Sequence, residues 1–172
     1  MTRILIGFAM AVVLALTSGA QSKATEFTFQ KVKSEKARMS VEMPGQPEES
    51  KTDRGEIFEV KPSLFFTYHV EYLDITDPVI IAMDKSELMK RFRDLIDMDK
   101  TIAMDKERSL GDAKVPGREF RVKTSPVADL RVRLYCTEKR MYVLYVEAVN
   151  DEDALDSKDA DRFFDSFEIT AK

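Results

Sequence analysis

The stretch from Pro116 to Ile169 constrains the fold more than any other part of this chain. It reads Pro-Gly-Arg-Glu-Phe, then Leu-Arg-Val-Arg-Leu-Tyr, then Arg-Met-Tyr-Val-Leu-Tyr, and closes on Arg-Phe-Phe-Asp-Ser-Phe-Glu-Ile. Phe120 to Lys123, Leu130 to Cys136 and Met141 to Val149 alternate apolar with polar residues, the period of a strand with one face in a core. Short connections make the three runs an antiparallel meander. Ala160, Phe163, Phe164 and Phe167 then mark one face of a helix, and Phe167-Glu168-Ile169 leads back to a sheet edge. Such a segment dictates an antiparallel sheet with a helix laid on it. It dictates no reaction.

Upstream, Phe27 to Val32, Met39 to Met43, Ile57 to Val60 and Leu64 to Leu73 read as strands, the last rich in the aromatic and β-branched residues that suit a pleated surface. Pro44-Gly45-Gln46-Pro47 ends the second strand, Glu48 to Arg54 is a charged loop, and Asp74 to Pro78 is a turn. Asp84 followed by Glu87 is a capping box opening a helix, whose stripe is Leu88, Met89, Phe92, Leu95 and Ile96. From Glu107 the strand pattern returns, with turns at Gly111-Asp112 and at Pro116-Gly117, where Pro presets φ and Gly accepts positive φ. Met-Asp-Lys recurs at Met83, Met98 and Met104, at unequal spacing and in unlike surroundings, so it marks no repeat. The expected class is α+β, an antiparallel sheet of six or seven strands with packed helices.

Residues 1–20 read as an export leader. Arg3 supplies the positive start, Ile4 to Leu16 an apolar run, and Ser18 and Ala20 the small residues before a cut at Gln21. A spanning helix needs roughly 20 apolar residues, and no second run approaches that. The remaining 21–172 fit one domain with its own core. The expected product is exported, periplasmic or extracellular, with no membrane span once the leader is gone and Gln21 to Glu26 a polar, unstructured start. The full chain has 27 Lys and Arg against 31 Asp and Glu, and of these the leader takes away only Arg3; this acidic balance argues against nucleic acid, since that binding needs clustered cations. One cysteine excludes an internal disulfide framework.

The order of strand, Pro-Gly-Arg-Glu-Phe, strand pair with Arg-Leu-Tyr, Tyr-Val-Leu strand and Phe-Phe-Asp-Ser-Phe resembles the PsbP-like superfamily, whose members share the PsbP or Mog-type fold. The resemblance covers most of residues 21–172. It implies an α-β-α sandwich without catalytic function, used as an accessory or binding module, and suggests the exported bacterial branch for this chain. It carries over no partner site.

Few residues could carry chemistry. His69 is the sole histidine, on a strand face shared with Thr67 and Glu71 and expected in solvent; a triad or a zinc site needs further partners. Cys136 shares the face of Leu130, Val132 and Leu134, which makes it a small buried hydrophobe. The acidic run from Asp151 to Asp161 fails the calcium-loop template, since its sixth position is Asp156 and not glycine; carboxylates at a helix N-terminus account for it. The scattered methionines are core filler. No catalytic, cofactor or metal set emerges.

One constellation remains. Arg121, Lys123, Arg131, Arg133, Tyr135 and Tyr145 are expected on one water-facing side of adjacent strands, a basic stripe that could meet an acidic protein or anionic ligand. A solvated face balanced by Glu119 and Glu147 accounts for the same residues.

The expected function is therefore an exported, non-enzymatic accessory module binding a protein partner. The alternative is a small-ligand carrier with an apolar pocket between sheet and helix, lined by Phe65, Phe66, Tyr68, Tyr72 and Phe92. A hydrolase built on carboxylates alone lacks a pair with visibly separated acidities. If the leader is removed, intact-mass measurement of exported protein finds a chain starting at Gln21 or a few residues later; an exported pool retaining Met1 contradicts the assignment.

Overall fold

In the computed structural model, which describes residues 27–96 and 101–170, the meander runs on into a larger sheet. The strands are β1 (Gln30–Ser34), β2 (Met39–Met43), β3 (Glu48–Lys51), β4 (Gly55–Ser63), β5 (Phe66–Asp74), β6 (Thr101–Leu110), β7 (Val115–Ser125), β8 (Ala128–Cys136), β9 (Arg140–Val149) and β10 (Glu168–Ile169). The helices are α1 (Pro78–Ala82), α2 (Lys85–Ile96) and α3 (Lys158–Asp165), with a 3-10 turn at Glu152–Asp156. The main sheet has seven strands in the order β3-β4-β5-β9-β8-β7-β6, and β1-β2-β10 form a second sheet. Pairing is antiparallel throughout. The α+β class is as the sequence indicates, with the two N-terminal strands joined by β10 in the separate small sheet.

Each face of the main sheet has its own core. On one, Met89 of α2 lies with Phe120, Val122, Val132, Leu134, Cys136, Met141 and Val143. On the other, Tyr68, Val70, Tyr72, Tyr142 and Leu144 meet Met39, Val41 and Met43 of the small sheet and Phe163, Phe164 and Phe167 at α3. Tyr135 stacks on Phe167 with ring centroids 5.6 Å apart, and the Tyr142 hydroxyl donates to the Ala37 carbonyl at 2.8 Å. A helix layer, a seven-stranded sheet and a mixed layer of small sheet and helix result.

Local chemistry sets the boundaries. Asp84 accepts from the Glu87 amide at 3.0 Å, opening α2 as its capping pattern predicts. Of the α2 stripe, Met89 is buried, Leu88 and Phe92 are half-buried, and Leu95 is 68% exposed; the side chain of Ile96 lies outside the described residues. On the outer face of α2, Glu87 and Arg91 pair one turn apart at 2.9 Å. Arg93 engages Asp94 and Asp105. Ser157 caps α3 by accepting from the Ala160 amide at 3.2 Å.

Three readings are corrected. Residues 48–51 form an edge strand, not a loop, because their backbone pairs with β4 although every side chain is exposed. The Pro78 segment is a short helix, capped by Asp77 with Pro in the first turn. Pro116-Gly117 lies inside β7, and the reversal falls at Gly111 to Lys114, both with left-handed backbone. Gly117 is needed for close approach: a Cβ there would sit 2.5 Å from the Tyr135 ring and 2.8 Å from the Leu134 carbonyl oxygen. Gly117→Ala should therefore cost about 1–3 kcal/mol in chemical denaturation; an unchanged midpoint contradicts the crowding.

Candidate functional site

The basic stripe is not a surface. Arg131 and Arg133 are each 5% exposed, so their expected water-facing position is corrected. Cross-strand pairing sets Arg133 beside Glu119 and Arg131 beside Arg121, and α3 with the 3-10 turn covers this face. Glu119 is fully buried. Arg131 Nε donates to Glu119 Oε1 at 3.0 Å and Arg133 Nε to Oε2 at 2.8 Å. From the edge strand, Arg108 Nη2 approaches Oε2 at 2.7 Å and Lys106 Nζ lies 3.8 Å from Oε1. Burial pushes the Glu119 carboxyl upward, but Arg133, Arg131 and Arg108 outweigh it and hold it below the ordinary carboxylate range.

Both guanidinium groups then reach across the layer. Arg131 Nη1 donates to Asp161 at 2.8 Å and to the Leu155 carbonyl at 2.9 Å, while Arg133 Nη1 donates to Asp165 at 2.7 Å. Arg121 pairs with Asp156. The Phe164 ring lies beneath both arginines, 4.9 and 4.8 Å from their central carbons. The acidic run thus supplies counter-ions to the stripe, a role beyond helix-end electrostatics. The stripe's acidic partner is the chain's own C-terminal segment. Lys123 is exposed at the end of β7, and Tyr135 is buried on the arginine side of the sheet. Tyr145 pairs with Val132 and belongs to the opposite face.

His69 is buried, not solvent-facing, because β5 is an interior strand flanked by Glu59 on β4 and Tyr145 on β9. Its ring stacks on Tyr145 at 4.3 Å, with Nδ1 3.4 Å from Glu59 and Nε2 3.8 Å from Glu71. Burial, with Glu59, Glu147 and Glu71 nearby, pushes the Tyr145 phenol up to about 12. Lys61 holds Glu59 below its ordinary value, with His69 contributing. Cys136 is buried as its strand face predicts, and burial pushes its thiol up. Among the described residues no group of three or more His, Cys, Asp or Glu side chains could hold a metal ion.

Two accessible features lie at opposite ends of the main sheet. At one, the β4–β5 and β7–β8 turns expose Leu64 (94%), Phe65 (52%) and Val127 (50%). The backbone joins these turns: Phe65 O accepts from Val149 N at 2.9 Å and Val127 O from Asn150 N at 2.6 Å. Phe65 borders a cleft of about 410 Å³ with Phe27, Phe66, Asp151 and Asp159. At the other end, a cleft of about 500 Å³ lies between α1, α2 and the ends of β5 and β9. Of the aromatics expected to line an apolar pocket, Phe92 lines this cleft, Tyr68 and Tyr72 are core, and Phe65 and Phe66 belong to the far end. Sequence reasoning missed the exposed tip; its signal was Leu64-Phe65 between two strands without a polar turn residue.

The buried triad predicts how the stripe responds to substitution. Charge reversal at Arg131 and Arg133 sets two buried like charges beside Glu119, which keeps only the edge-strand Arg108 and Lys106, and should cost at least about 3–5 kcal/mol, whereas Lys123→Glu should stay within about 0.5 kcal/mol. Urea denaturation compares them; similar midpoints for the two variants contradict the burial.

No family model matches the chain, and no curated protein matches it. Among solved structures, the chain is similar to cyanobacterial PsbP (CyanoP) from Synechocystis sp. PCC 6803 in solution, with a TM-score of 0.55 and 13% sequence identity over 88% of this chain and 98% of that one. Layers, strand pairing and this likeness agree: the chain has a PsbP-like fold.

Proposed function

We propose that this protein is an exported accessory module that acts by binding a polypeptide partner through the tip formed by Leu64, Phe65 and Val127. The PsbP-like fold is compatible with such a non-enzymatic role. The observation that carries the reading is the exposure of three large apolar side chains on two turns, each hydrogen-bonded to the end of β9. Isolated exposed apolar residues are ordinary, but clustered ones with an aromatic among them characterise contact surfaces. Asp151, Glu152 and Asp153 are exposed just beyond β9, and Asp151 shares the Phe65 cleft. That arrangement suits a partner presenting an apolar side chain among basic residues. Lys123 stands nearby as the accessible remainder of the stripe.

This reading moves the contact away from Arg131 and Arg133, whose charges are already satisfied within the chain. No helix of the described residues is long and apolar enough to cross a membrane, in keeping with a module held in place by its partner. Location in the periplasm or outside the cell rests on the leader-like residues 1–20.

Native mass spectrometry of protein isolated from its own cells tests the proposal. A bound polypeptide is expected, and Leu64→Asp with Phe65→Asp should weaken it by about 2 kcal/mol or more, roughly 30-fold, with unfolding unchanged. Added salt should weaken it further, because rim charges are screened. A bare chain, or a complex indifferent to the double substitution, contradicts the reading.

A further inference from the structure

The helix α1 has the sequence Pro-Val-Ile-Ile-Ala yet buries none of its residues. Val79 is 73% exposed, and Leu95 on the neighbouring helix is 68% exposed. Apolar side chains at this density ordinarily go into a core. Here Ile80 of α1 and Leu95 of α2 border the 500 Å³ cleft, whose walls also include Leu73, Leu88, Phe92 and Met141. Its volume falls within the range of small-molecule sites, which combine apolar walls with a few polar groups.

The mouth selects the charge of an occupant. Asp74 is taken by Arg140 at 2.6 Å, Asp77 accepts from the Val79 amide at 2.8 Å as the cap of α1, and Arg91 is held by Glu87 at 2.9 Å. Arg54, by contrast, makes no ion pair among the described residues, and it borders both this cleft and the adjoining polar one beside Lys36 and Tyr72. A cationic head group would find both carboxylates engaged. An anionic one finds a guanidinium without an ion-pair partner among the described residues, a fork that grips a carboxylate in two bonds.

We propose that the cleft between α1, α2 and the sheet binds a single-chain carboxylate amphiphile, its hydrocarbon against Ile80, Leu88 and Phe92 and its carboxylate on Arg54. The site lies at the opposite end of the sheet from the partner tip and stands or falls independently of it. Ligand entry covers the apolar surface of α1 and α2 that the chain leaves in water, which is the driving force. Arg54 fixes orientation and distinguishes an acid from an alcohol of the same length.

Titration calorimetry with decanoate and decanol tests this, on protein purified in the form its cells hold and freed of lipid. Saturable binding of one decanoate per chain is expected. Arg54→Glu should weaken decanoate at least tenfold and leave decanol unchanged, with the unfolding midpoint intact because Arg54 is exposed. Leu88→Arg should weaken both ligands together. Absence of saturable decanoate binding overturns the proposal, as does equal decanoate affinity in wild type and Arg54→Glu. A dimer that Leu95→Glu dissolves, without decanoate binding, would assign the cleft to a second copy of the chain.

Discussion

The architecture depends on one buried carboxylate. Glu119, fully buried on β7, receives Arg131 and Arg133 from β8 and Arg108 from β6, and the first two arginines carry the charge onward to Asp161 and Asp165 beside α3. Desolvating these ions is costly, and their mutual attraction offsets the cost only because each donor and acceptor is matched. Removing any member strands the others. That mutual dependence specifies where the C-terminal segment docks, which apolar packing of Phe163, Phe164 and Phe167 alone would leave less directed.

Docking of that segment has consequences for the surface. It covers Arg131 and Arg133 and pairs Asp156, Asp161 and Asp165 with the arginines of the stripe, so these charges are neutralised within the chain. The exposed apolar turns and the apolar cleft beside α1 and α2 lie at the two ends of the sheet. One end presents apolar turns beside the exposed carboxylates of Asp151, Glu152 and Asp153; the other opens an apolar cleft beside Arg54, which makes no ion pair among the described residues. An interaction module needs surfaces of this kind, and the middle of the sheet, covered by helix on one side and by helix and small sheet on the other, offers them less.

Much of the fold was legible because alternation and helical spacing report burial directly. The meander from Phe120 to Val149, the capping of α2 by Asp84 and the phenylalanine face of α3 all follow from side-chain period. The candidate site was not legible, for a physical reason. Alternation of Arg131 and Arg133 with Val132 and Leu134 is the pattern of a sheet with one wet face, whereas this sheet is covered on both faces and the polar positions are matched to Glu119 across the strand. His69 was misplaced in the same way, since its burial comes from its neighbours on β4 and β9. Nor does local sequence disclose that Gly117 serves the ring of Tyr135, a contact made only when β7 meets β8. The edge strand β3 has no apolar signature at all, since its pairing is entirely through the backbone.

The central claim is that Glu119 stays ionised inside the protein because of its arginines. A carboxyl held below its unfolded value contributes stability above that value, about pH 4.3 for glutamate, and loses it as pH falls through the folded one. Carbon-13 NMR of the side-chain carboxyls, with Glu119→Gln used to assign the resonance, measures that folded value. The account predicts that Glu119 titrates well below the other glutamates, at or under the pH where the fold is lost. A Glu119 carboxyl that takes up its proton above about pH 4.3 in the folded protein would contradict it.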